Sequence, residues 1–112
     1  MPDQLHEAVS VIHNLLVRAE YAQLEKLTGG VRLHAEEIKK AVIDYGRILI
    51  TPPISAFELM DVIKVRNAEP PKWTITMPLW TQEEGRSDLS MELTITEQKD
   101  GYKIELDDLH VL

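Results

Sequence analysis

Apolar residues return every three or four positions before Gly46 and every second position after it. The chain therefore has to build helices first and strands second. Leu5, Ala8, Val9, Ile12, Leu15, Leu16 and Ala19 form one stripe and predict a helix over residues 3–19, with Asp3 behind Pro2 as its N-cap. "AEYAQLEKLTGG" reads as a short second helix, with Tyr21, Leu24 and Leu27 inward and Gly29-Gly30 as the stop. "HAEEIKKAVIDYG" reads as a third. Glu36 and Glu37 suit its positive N-terminal end, Ile38, Ala41, Val42 and Tyr45 share a face, and Gly46 ends it.

Beyond Gly46, "RILI" predicts a short strand closed by Pro52-Pro53. "FELMDVIKVR" reads as a strand, although Leu59, Met60, Val62 and Ile63 also suit a helical turn, and "EPPK" breaks the chain again. "WTITMPLW" puts Trp73, Ile75, Met77 and Leu79 on one face, with Pro78 fitting an edge or a bulge. "LSMELTIT" alternates most cleanly, with Leu89, Met91, Leu93 and Ile95 inward. "KDG" is a turn, and "YKIEL" points Tyr102, Ile104 and Leu106 one way. Phase is then lost at Asp107-Asp108 before Leu109 and Val111, and a β-bulge there restores the core face. These elements predict one α+β domain over 1–112. Its helical part (1–46) packs on one face of a curved antiparallel meander (47–112), cone-like or cystatin-like.

Composition narrows the function classes. The 112 residues contain no cysteine, which excludes disulfides, thiolate zinc sites and cysteine nucleophiles and fits a reducing cytoplasm. The first ten residues lack the basic region of a signal peptide, and no apolar run is long enough for a membrane span. A formal net charge of -7 disfavours nucleic acid and favours a basic protein partner. From Glu83 onward nine acids face three bases, so nearly all the excess lies in the last third. The same charge also serves plain solubility.

Two resemblances are legible. "YAQLEKLTGGVRL", "EEIKKAVIDYGRILITPP", "LWTQEEGRSDLSMELTI" and "IELDDLHVL" together resemble a small uncharacterised family of bacterial proteins, from Tyr21 onward. The order of helices followed by a meander ending in "DLHVL" is similar to the cone fold of nuclear transport factor two and ketosteroid isomerase, which implies a curved sheet around a long helix and a pocket. The isomerase pattern of a carboxylate base with tyrosine and protonated-acid donors matches no position here, so no catalytic residue carries over.

Asp108 and His110 form the best polar pair. On a strand they share a face and suit a general-base pair, two metal ligands, or the polar group of a pocket lined by Trp73, Met77, Met91 and Tyr102. No third ligand is legible, so neither a metal nor a cofactor is expected, and the alternative is a solvated bulge. His6 and His13, two helical turns apart, read as surface residues, and His34 as a helix cap or a solvated side chain. Ser87, Ser90 and Thr94 lack a nucleophile signature, and "LTGGVRL" is not a phosphate loop. In the loop "WTQEEGRSDL", Arg86 can pair with Glu83, Glu84 or Asp88 beside Trp80, a composition suited to an interaction surface or to a structural turn.

The expectation is thus a non-enzymatic protein-interaction domain, immunity- or antitoxin-like, binding a basic partner. The alternative is a small-molecule-binding or minor enzymatic domain of the isomerase-like fold. A homodimer through the second face of the sheet is compatible with either.

Overall fold

In the computed structural model, residues 3–111 are described, with side chains from residue 5 onward. The chain runs α1 (Asp3–Val17), α2 (Tyr21–Thr28), α3 (Ala35–Tyr45), β1 (Leu49–Ile50), a 3₁₀ helix (Ile54–Leu59), β2 (Asp61–Lys64), β3 (Lys72–Thr81), β4 (Gly85–Gln98) and β5 (Gly101–Val111). The cap role expected of Asp3 lies outside the described side chains.

Helix α1 buries Leu5, Val9, Ile12, Leu15 and Leu16, as its stripe predicts. It ends two residues early because Ala19 turns left-handed, at φ +57°. The Ala19 N–H donates to the Leu16 carbonyl (3.1 Å) and the Glu20 N–H to that of Leu15 (3.0 Å), the paired bonds of a Schellman stop. A Cβ is disfavoured in that conformation, so Ala19→Gly should raise stability by about 1 kcal/mol. A urea midpoint unchanged or lowered by the substitution contradicts this.

Two expectations on these helices need correction. Leu27 is 45% exposed, and Thr28 is buried in its stead with its hydroxyl donating to the Leu24 carbonyl (2.8 Å). The inward stripe of this short helix is Tyr21, Leu24 and Thr28. His13 is 0% exposed and belongs to the core side of α1, while His6 stacks on Phe57 with ring centroids 3.9 Å apart. Residues seven apart share a helix face, and here that face is the inner one.

The ambiguous stretch 57–66 is both things in turn: its first residues complete the 3₁₀ helix Ile54–Leu59, and the short strand β2 follows. The sheet is open and antiparallel, in the order β1-β3-β4-β5, with β2 also on β3. β1 pairs with Trp80 and Thr81, and β2 with Trp73 through Thr76. Pro78 falls in the gap between them on the β3 edge, where a residue without an N–H costs least. Ile75, Met77, Leu79, Met91, Leu93, Ile95, Leu106 and Leu109 face the helices and join their stripes in one core. No helix among the described residues is long and apolar enough to cross a membrane.

Candidate functional site

Two bulges decide what the other, open face of the sheet presents. Between Pro78↔Ser90 and Trp80↔Arg86 the register shifts, so Leu79 alone stands opposite Ser87, Asp88 and Leu89. Ser87 turns inward there and closes the irregularity. Its hydroxyl donates to the Leu79 carbonyl (2.8 Å) and accepts the Leu89 N–H (3.2 Å). The second shift lies between Glu92↔Asp108 and Leu93↔Leu106, which makes Asp107 the inserted residue expected at the two aspartates.

With that register, Asp61, Thr76, Glu92 and Asp108 form one row across β2, β3, β4 and β5. Pro78, Ser90 and His110 form the next. A groove of about 470 Å³ opens here, walled by Leu59, Asp61, Arg86 and Asp88 and floored by Pro78 and Ser90. Ser90 is fully buried and its hydroxyl has no hydrogen-bond partner.

Asp108 and His110 meet as their spacing predicts. His110 Nδ1 lies 3.1 Å from Asp108 Oδ2 and 3.7 Å from Glu92 Oε2. Glu92 is the member that sequence reasoning missed. The Leu109 N–H donates to Asp108 Oδ1 (2.9 Å) and fixes that carboxylate. Asp107 is engaged elsewhere, accepting the Thr94 hydroxyl. Asp108 and His110 stand on the face opposite Met91 and Met77, which are fully buried in the core. Trp73 and Tyr102 meet edge to face at 6.2 Å at the far end of that core. The polar pair and the apolar lining expected around it are thus separated by the sheet.

The loop "WTQEEGRSDL" is a hairpin of three residues closed by Gly85 at φ +72°. Its glutamates are tied inward. Glu83 accepts the Ile48 N–H (3.0 Å), and Glu84 accepts the Tyr45 hydroxyl (2.8 Å) and the Thr81 hydroxyl (3.1 Å). The Tyr45 oxygen in turn accepts the Asp88 N–H (3.3 Å). Partial burial and the Glu84 carboxylate hold the Tyr45 phenol above its ordinary pKa. The loop therefore clasps the end of α3. Arg86 forms no ion pair among the described residues and lines the groove instead, cross-strand from half-buried Trp80. Tyr45→Phe should release the clasp and lower the urea midpoint by the equivalent of about 1 kcal/mol; an unchanged midpoint contradicts a stabilising clasp.

His34 sits at the N-cap of α3, where its own N–H donates to Glu37 Oε1 (3.1 Å). Glu25 reaches across from α2, accepting the Ala35 N–H (2.7 Å) and lying 3.3 Å from His34 Nδ1.

No curated protein and no solved structure matches the chain. A family described only as a domain of unknown function, DUF7668, matches residues 13–112, and the chain belongs to that family.

Proposed function

We propose that this domain is a non-catalytic protein-interaction module that receives a basic segment of a partner protein on the open face of its sheet. The observation that carries the reading is the charge of that face. Asp61 and Asp88 line the groove with the guanidinium of Arg86, and Glu92 and Asp108 continue the row of Asp61 across the same face. Leu59, 45% exposed beside Pro78, supplies an apolar contact for the stem of a lysine or arginine. Trp80 and Asp88 then belong to the rim of this surface, while Glu83 and Glu84 hold the rim in place. An immunity- or antitoxin-like protein covering a basic toxin in a reducing cytoplasm is the concrete form we favour, because acidic complementarity of this kind speeds association.

The test is capture from a host lysate on wild type and on Asp61→Lys/Asp88→Lys, followed by binding with the purified captured protein. A basic partner whose affinity falls at least about tenfold on charge reversal, and whose association slows with salt, supports the reading. A partner bound equally by both baits overturns it.

One observation favours a second reading, a homodimer. The same face carries lysines at its other end, Lys72 and Lys103 on either side of Thr96. Two copies related by a twofold axis would set each acidic end against the other copy's lysines. Sedimentation over a concentration series decides: a monomer throughout dismisses the dimer.

A further inference from the structure

We propose that Glu92, Asp108 and His110 form a binding site for a zinc-type divalent cation, whether or not the neighbouring groove takes a protein. The donor atoms of the three side chains all lie within 4.8 Å of one another. Ligand bonds of about 2.0–2.1 Å at tetrahedral angles put donor atoms roughly 3.3 Å apart. The separations of 3.1 Å and 3.7 Å around His110 Nδ1 bracket that value. Small side-chain rotations then complete the triangle.

The scaffold is preset as well. Glu92 and Asp108 are direct cross-strand partners, and His110 follows Asp108 on the same face. The Leu109 N–H holds one oxygen of Asp108 and leaves the other facing His110. Such support of a ligand carboxylate is what metal sites use to orient their donors.

A separate observation points to an occupant. Ser90 is fully buried, stands cross-strand from His110 and two residues before Glu92, and its hydroxyl has no partner. His110 Nδ1 is also shielded from solvent and makes no well-directed hydrogen bond, despite the carboxylates beside it. Buried polar atoms without partners are uncommon and need a reason. A cation on His110, with a bound water within reach of the Ser90 hydroxyl, satisfies both. One imidazole with two carboxylates favours zinc and similar transition ions over magnesium or calcium. Three protein ligands leave a position for water, or for a donor from a partner.

The test is calorimetric titration of the metal-free full chain with zinc chloride at neutral pH. One ion should bind per chain, and millimolar magnesium should not compete. His110→Ala and Glu92→Gln should each weaken binding by at least about tenfold. His34→Ala, which removes the other histidine–carboxylate pair, should leave it unchanged. Amide spectra of the wild type should move at residues 90–92 and 108–110 on adding zinc. Glu92→Gln keeps the side-chain shape, so it decides the matter if His110→Ala folds poorly. The proposal is overturned if the wild type binds no zinc, if both site variants bind as the wild type does, or if the loss follows His34→Ala.

Discussion

Lowering the pH from 7.5 to 5 will cost the wild type about 2 kcal/mol more folding stability than it costs a His13→Leu variant. His13 is wholly buried on α1, and neither ring nitrogen has a partner. Burial pushes its pKa down to about 4, against about 6.5 for an unfolded histidine. Between those values the unfolded chain binds a proton that the folded chain refuses. Stability from this group is therefore complete above about pH 6.5 and is lost as the pH falls toward 4, by about 3 kcal/mol over the whole window. Carboxylates also titrate in this range, but they are common to both proteins and cancel in the comparison. Leucine fills a similar volume and removes two unmet nitrogens, so the variant should match or exceed the wild type at neutral pH. Urea midpoints at the two pH values check this. Equal pH dependence in both proteins contradicts it.

The second large effect is a pair of opposite signs at two buried serines. Ser87→Ala should destabilise by about 2 kcal/mol, because the Leu79 carbonyl and the Leu89 N–H lose the hydroxyl that serves them inside the bulge. Ser90→Ala should stabilise the metal-free chain by about 1 kcal/mol, because a hydroxyl buried without a partner is better removed. The two residues lie three positions apart on one strand, so composition and local propensity predict no such contrast. Denaturation of both variants against wild type decides it, and the account fails if both move the same way. A residue that the fold would be more stable without is expected where a surface is kept for binding.

Much of the architecture is legible from local pattern. Period two assigned the inward faces of β3, β4 and β5, Gly46 marked the end of α3, and the lost phase at Asp107-Asp108 located a bulge. These are properties of neighbouring residues, and short-range geometry governs them. What pattern hides is what depends on register. Glu92 joins Asp108 and His110 only when β4 is laid against β5 with Asp107 slipped out, and no reading of one strand supplies that offset. The Tyr45–Glu84 clasp spans 39 positions of sequence, and the charged loop that looks like a free surface is fastened by it. His13 stayed hidden for another reason. An apolar stripe is counted without its polar members, although helix geometry carries them inward too. Leu27 and Thr28 show the converse, a hydroxyl satisfied by its own helix in a buried place where leucine was expected.

Amide hydrogen exchange on the complex with the captured partner reads out whether the open face of the sheet is the binding surface. Slowed exchange is expected in residues 59–62, 74–78 and 86–92, with the exposed sides of α2 and α3 unchanged. Protection centred on those helices, around Leu27 and Ile43, with β3 and β4 exchanging as in the free protein, would contradict it.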